Sequence, residues 1–255
     1  MPYHTNTSRF MNDFKSVKYL KLPFQFDKER LQSDLNLILS SNWVPHYNIQ
    51  AYEGDWQSIS LYSTKGNEED IFAIQNPSLE LQKTSALEKS EYLVEVIESF
   101  KCQLLSVRLL KLSIGAIIKP HRDYKLGYED DNFRLHIPIR TNSEVKFILG
   151  GDRLLMLEGE CWYTNVNYTH SVSNMGKQDR IHLVLDCQRN SWSDDLFFSL
   201  VDKKYLLPDN SNDMLDQYRN MIKTFERLEE PASEELIKKY KIKIAELKKA
   251  MELDK

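Results

Sequence analysis

No apolar run in this sequence approaches the roughly 18 residues that a membrane-spanning helix needs, and the polar opening MPYHTNTSRFMND lacks the apolar core of a secretory leader. These two absences set a cytoplasmic location as the expectation and leave no part for a membrane. Cysteine is scarce as well. Cys102, Cys161 and Cys187 are widely spaced, odd in number and form no CxxC, which excludes a disulfide framework and a cysteine-zinc cluster and leaves reduced thiols. Nor is there an excess of positive charge: 34 Lys and Arg against 38 Asp and Glu give a net charge of −4, without the electrostatic footprint of a nucleic-acid binder.

What is present is an ordinary globular composition, 41% hydrophobic and 28% charged over 255 residues, enough for one large domain with an appendage. Apolar spacing predicts a helix from Asp27 to Ser40, through Leu31, Leu35, Ile38 and Leu39, and another from Ala86 to Phe100. Ser85 and Glu88 have the spacing of a capping box for the second. The aromatic stretch WVPHYNIQAYEGDWQSISLY between them reads as strands and loops. From Leu104 to Gln188 the pattern changes to short β-branched and aromatic segments punctuated by Gly, Asn, Asp and Pro, as in a β-sandwich or barrel. GGD at 150–152 is a turn and not a phosphate loop, since no GK[ST] or helical pattern follows it.

Beyond Trp192 helical spacing returns. Met214, Leu215, Tyr218, Met221, Ile222, Phe225 and Leu228 make one stripe, and Ile237, Tyr240, Ile244, Leu247 and Met251 make a second, with Ser233 as its N-cap candidate. The lysines of KKYKIKIAELKKA flank that stripe as a solvated face. The expected organisation is a loose terminus over 1–15, a β-rich domain over 16–195 and a helical hairpin over 205–255. That hairpin either covers the β-domain or joins two copies in a homodimer.

Two strands share an Arg-x-His pattern. In FRLHIPI, Arg134 and His136 alternate with Phe133, Leu135 and Ile137; in RIHLVLD, Arg180, His182 and Asp186 alternate with Ile181, Leu183 and Leu185. Alternation alone does not choose which face points inward. An inward arginine would require a carboxylate or phosphate partner. In KPHRDYK, His121 and Asp123 stand two apart and project to one side of an extended strand end, with Arg122 directed away. An HxD pair by itself selects no metal. His170, where YTHSVSN re-enters a strand, supplies the third donor of a two-histidine, one-carboxylate set suited to non-heme Fe(II).

PHRDY, FRLHIPIRTN, GECWYTNVNYTHSVSN and DRIHLVLD, in this order and spacing between Val107 and Asp186, resemble the aspartyl/asparaginyl β-hydroxylase-like branch of the Fe(II)/2-oxoglutarate-dependent oxygenases, nearest the bacterial proline cis-hydroxylase type. The resemblance implies a mainly β fold with helices: a double-stranded β-helix core of the jelly-roll or cupin-like kind, flanked by N-terminal helices and the C-terminal hairpin. It implies Fe(II) on His121, Asp123 and His170, the distal carboxylate of 2-oxoglutarate on Arg180, and Arg134 and His136 near the metal-bound end of that co-substrate. It further implies dioxygen as the oxidant, the iron site as the whole catalytic apparatus, and succinate and CO2 as co-products. The implied substrate is a small amino acid or a peptide, with an aliphatic carbon of an Asp/Asn- or Pro-type residue as the target.

Animal aspartyl hydroxylases have glycine where this chain has Asp123, so the full triad here departs from them. Tyr124, Trp162, Tyr163 and Asn165 are candidates for the substrate pocket, against ordinary aromatic packing, and His46, Tyr47 and Trp56 are candidates for a lid. Arg108 is open between an ion pair and substrate. Two other function classes compete. A non-catalytic cupin-like metal- or ligand-binding barrel carries HxH with a following Glu, absent here, and has no use for Arg180. A nucleic-acid demethylase is disfavoured by the acidic charge balance.

Overall fold

The computed structural model describes residues 16–72, 80–208, 211–227 and 231–253. The expected loose terminus over 1–15, Leu228 and the side chain of Met251 lie outside the described residues. Two compact units divide the chain, 1–206 and 207–255.

The first unit begins with β1 (Tyr19–Gln25), α1 (Lys28–Ile38), β2 (Val44–Pro45), β3 (Tyr52–Glu53), β4 (Trp56–Ser63) and β5 (Gln82–Lys83). It continues with α2 (Ser85–Glu88), α3 (Glu91–Glu98), β6 (Leu104–Leu112), β7 (Ile117–His121), β8 (Asn132–Arg140) and β9 (Val145–Leu149). β10 (Asp152–Leu154), β11 (Glu160–Thr164), β12 (His170–Asn174), β13 (Arg180–Gln188) and α4 (Ser191–Phe198) complete it. The strands form two antiparallel sheets. The larger runs β1-β11-β8-β13-β6-β4-β2, with β5 also on β4, and the smaller runs β10-β9-β12-β7-β3. Among the described residues no strand pairing joins the sheets. The double-stranded β-helix is therefore an open two-sheet sandwich and not a hydrogen-bonded barrel.

Leu110, Leu112 and Val184 of the larger sheet pack against Ile118, Phe147, Leu149, Leu154 and Val172 of the smaller in one buried cluster. The larger sheet is covered on its other face as well. There α1 lies against β8, Gln32 Nε2 donates to the Ile139 carbonyl at 3.1 Å, and Phe197 of α4 packs on Phe133 and Tyr163. As a result β13 is buried from Arg180 to Cys187, and its polar residues face the other sheet instead of water.

Several local expectations change. Asp27, read from the sequence as the first residue of the helix, is instead the cap of α1, its Oδ1 accepting from the backbone N–H groups of Glu29 and Arg30 at 2.9 and 3.0 Å. The expected second helix is broken into α2 and α3, and Ser85 is not its cap. The Ser85 hydroxyl bonds Glu68 instead, and Ser90, whose hydroxyl returns to the Ala86 carbonyl, starts the second piece. The segment SVRLLKLSIG followed by AIIKPH is two strands in different sheets, and Gly115 at φ +77° lets the chain turn between them. Gly150 and Gly151, at φ +55° and +90°, form the tight turn between β9 and β10. The three cysteines are free thiols. No described helix is long and apolar enough to cross a membrane.

In the second unit α5 (Ser211–Glu226) and α6 (Pro231–Leu253) pair through the predicted stripes. The Tyr240 ring lies 5.5 Å from Tyr218 and 6.0 Å from Phe225, centroid to centroid. α6 starts at Pro231, whose missing N–H costs nothing at a first helical position, so Ser233 is inside the helix and is not its N-cap.

Candidate metal centre and anion pocket

β7 and β12 are antiparallel neighbours, and their register sets His121 directly opposite His170. The ring centroids are 4.2 Å apart. Asp123 follows β7 by two residues and is tied down by its own backbone N–H, which donates to the Val166 carbonyl at 3.0 Å. One donor atom from each of His121, Asp123 and His170 lies within 4.8 Å of the others. Each histidine has its Nδ1 against a backbone carbonyl, His121 on Lys119 at 2.8 Å and His170 on Tyr168 at 3.1 Å. A neutral imidazole so held donates from Nδ1 and turns the Nε2 lone pair outward, as a metal ligand must.

Electrostatics keep His170 and Asp123 in ligating form. Burial, followed by the neighbouring His121, lowers His170 to about 4, so it is neutral at physiological pH. Burial alone would raise Asp123, but Arg134 foremost, with His170 and His121, overrides it and holds the carboxylate below its ordinary range. Two imidazole nitrogens and one carboxylate on one side of a cavity fit a divalent iron with open positions.

The cavity beside this triad measures about 970 Å³ and is walled by both sheets. Arg134, His136 and Arg180 all line it, so the Arg-x-His faces of β8 and β13 point inward. Arg180 is 1% exposed and, among the described residues, has no carboxylate partner. Its Nη2 meets His182 Nδ1 at 2.8 Å, its Nε has no partner, and the guanidinium lies 5.8 Å from the Phe147 ring. Burial without a compensating anion lowers it to about 9, still cationic at neutral pH. A buried, uncompensated guanidinium with a planar fork fits a carboxylate arriving from outside the chain. His136, also on this wall, is held neutral by burial and by Arg180, and its Nδ1 has no partner.

Arg134 is otherwise engaged. Its Nε and Nη2 donate to the two oxygens of Asp186 at 2.6 and 3.0 Å, and its Nη1 donates to Asp123 at 2.5 Å. Arg108, left open by the sequence, also donates to Asp186, at 2.8 Å, and to the Ile71 carbonyl at 2.9 Å. Asp186 thus holds two arginines, one of which holds a metal-ligand candidate. The sequence contained a trace of this, since Asp186 shares the inward face of β13 with Arg180, but pairing across three strands is not a local pattern.

The model of the aspartyl/asparaginyl β-hydroxylase family matches residues 25–190. The chain belongs to that family. It is a hydroxylase of the iron- and 2-oxoglutarate-dependent class that the sequence resemblance implied, and the donor triad and the anion-seeking Arg180 fit those two groups. Among its relatives, the L-proline cis-4-hydroxylase of Rhizobium meliloti (strain 1021) is 29% identical over 201 residues, 77% of this chain and 68% of that protein. L-proline cis-3-hydroxylase 1 of a Streptomyces species is 30% identical over 169 residues, 64% of this chain and 57% of that protein. Among solved structures, a 2OG-Fe(II) oxygenase family oxidoreductase from Burkholderia pseudomallei aligns with a TM-score of 0.48 at 15% identity, over 68% of this chain and 87% of that one.

The substrate-pocket candidates divide. Tyr124 lines the cavity at its mouth, 76% exposed. Trp162, Tyr163 and Asn165 do not line it, which corrects their assignment as pocket residues. Trp162 packs on Tyr19 and donates to Glu160 at 2.9 Å; Tyr163 is buried against Tyr128 and Phe197 under α4; Asn165 donates to Glu129 and Ser16, both at 2.9 Å. Their nearness to His170 along the chain misled because β11 lies beyond β8 in the larger sheet, next to β1, and Tyr163 faces α4 instead of the cavity. His46, Tyr47 and Trp56 do line the cavity, with His46 stacked on Trp56 at 3.5 Å and Tyr47 against Phe72 at 5.2 Å. Arg122 is exposed, contributes to the cavity lining, and donates to the Thr169 hydroxyl at 3.0 Å.

Proposed function

We propose that this hydroxylase acts on an aliphatic carbon of a free, proline-type amino acid, with iron on His121, Asp123 and His170 and the distal carboxylate of 2-oxoglutarate on Arg180. The observation that carries the reading is the buried Arg180, without an anionic partner among the described residues, in the same cavity as the triad. A metal-binding module without oxygenase activity would gain nothing from that charge, whose burial costs several kcal/mol uncompensated, in order of magnitude. The substrate class rests on the proline hydroxylases among the relatives. It also agrees with a cavity that sets apolar Leu110, Ile118 and Val172 beside the guanidiniums of Arg108 and Arg134.

Iron and 2-oxoglutarate, when bound, supply the oxidation: one oxygen atom of O2 enters the substrate C–H bond as hydroxyl, the other enters succinate, and CO2 leaves. The chain's own part is placement. His121 and His170 are locked in the ligating tautomer by their backbone acceptors, and Asp123 is oriented by Arg134. Arg180 fixes one end of the co-substrate so that its other end meets the metal. The side chains that close the cavity hold the target carbon in reach and limit water, which is where positioning gives rate.

The test is a turnover assay on protein loaded anaerobically with Fe(II), then given 2-oxoglutarate and oxygen with panels of free amino acids and short peptides. Succinate and a product heavier by one oxygen are expected with proline-type free amino acids, and His170→Ala is expected to hold no iron and make neither. Protein shown to hold iron that makes no succinate above background with any substrate would sink the reading.

A further inference from the structure

A second cavity, of about 630 Å³, opens on the opposite side of Arg180. Arg180 and Phe147 line both cavities, so they form the wall between them. His182, 2% exposed, lines only the second one, and its Nε2 has no hydrogen-bond partner. The Nδ1 of that ring accepts from Arg180 at 2.8 Å, which fixes the proton of the neutral imidazole on Nε2. The second cavity therefore offers at its floor an unused N–H donor beside a guanidinium that lacks an anion. Above that floor Val145, Leu154 and Met156 supply a buried aliphatic wall, while Leu155 and Leu157 stand exposed at the rim. Lys28 contributes a positive charge to the lining, and Glu158, a negative one, is hydrogen-bonded to the Thr141 N–H at 3.1 Å.

A donor and a cation at the base of an aliphatic pocket match a small molecule with one carboxylate and a short hydrocarbon tail. We propose that this cavity binds a small aliphatic monocarboxylate, its carboxylate between His182 and Arg180 and its tail against Val145, Leu154 and Met156, and that the occupant competes with 2-oxoglutarate for Arg180. The competition rests on the placement of 2-oxoglutarate above; the binding site itself does not. A cell rich in such acids would slow the hydroxylase without any change at its metal.

The probe is 4-methylpentanoate, titrated calorimetrically into Fe(II)-loaded protein without oxygen, with 4-methylpentanamide as the neutral control. Saturable binding of the acid is expected, at least tenfold tighter than the amide, with 2-oxoglutarate raising its apparent Kd as its own concentration rises. Leu154→Trp, which fills the cavity, and Leu157→Glu, which sets a negative charge at its rim, are each expected to weaken the acid tenfold or more while leaving 2-oxoglutarate affinity unchanged. Should Leu154→Trp fail to fold, Leu157→Glu decides, since that side chain is 64% exposed. No acid binding, equal binding of acid and amide, unchanged binding in the folded variants, or indifference to 2-oxoglutarate would each overturn the proposal. Undiminished 2-oxoglutarate affinity in Arg180→Met would instead overturn its placement on Arg180, and the acid site would then be judged by the two leucine variants.

Discussion

Arg134 and Arg180 sit on neighbouring strands of one sheet, both face the same cavity, and both are withdrawn from water, yet they are opposites. Burial works against the charge of each. At Arg134, Asp186 and Asp123 overcome it and push the guanidinium well above its usual range. At Arg180 nothing opposes burial, and the value falls to about 9. The first arginine belongs to a closed network that the chain completes itself. The second is one half of an interaction whose other half must come from a ligand. Residue type and strand position do not separate these cases; the partners do.

The sharpest way to break the comparison is to remove the centre of the closed network. Asp186 is fully buried and serves two arginines, so Asp186→Ala leaves both unpaired and is expected to cost about 3–5 kcal/mol of unfolding free energy in urea melts. A loss below about 1 kcal/mol, within the scatter of ordinary point mutants, would mean the network is not what holds these charges. Arg180→Met should behave in the reverse manner. Removing the guanidinium relieves an uncompensated buried charge and leaves only His182 Nδ1 without its donor, so stability should fall far less than in Asp186→Ala, while the Kd for 2-oxoglutarate in Fe(II)-loaded protein should rise by about 100-fold, the order of 2–3 kcal/mol expected of a lost charged hydrogen-bonding group. A variant that lost stability and kept 2-oxoglutarate affinity would invert the assignment.

The same contrast explains what could be read in the sequence. Turn residues and β-branched runs marked the segments that form β6 to β13, because strand pairing follows local pattern closely. The HxD pair, His170 and the arginine ten residues after it stood out by the order and spacing they share with a known family, and the structure gathers the first three within 4.8 Å and sets Arg180 in the same cavity. The direction of Arg134 and Arg180 was not legible. Helices cover the outer face of the larger sheet, so both faces of β13 are buried and alternation carries no sign. β1 also escaped notice: its pairing with β11 joins residues some 140 positions apart in sequence, as Tyr19 with Thr164, and no local signal encodes it. Trp162 and Tyr163 show the converse error, where closeness along the chain to His170 stood in for closeness in space.

Asp123 ties the closed network to the candidate metal centre: it is a metal-ligand candidate held by Arg134. If Arg134 acts as its positioning residue, Arg134→Gln should weaken Fe(II) binding about 10- to 100-fold, the usual effect of losing a partner behind a ligand, with the triad itself intact. Arg134→Lys should recover part of the loss, since a single ammonium reaches one carboxylate but does not reproduce the fork shared with Asp186. Unchanged iron affinity in the Gln variant would separate Asp123 from the network.

The smallest effect is expected where the chain order is most suggestive. Arg122 stands between two ligand candidates, but its side chain is exposed and reaches Thr169 instead of an acid. An exposed arginine on a neutral hydroxyl adds little, so Arg122→Ala should change stability by less than about 0.5 kcal/mol and leave Fe(II) affinity within twofold. A larger drop in iron binding would mean that the Arg122–Thr169 contact sets the separation of His121 and His170, the two strand ends it bridges. The metal site would then depend on its surface and not only on the buried arginines behind it.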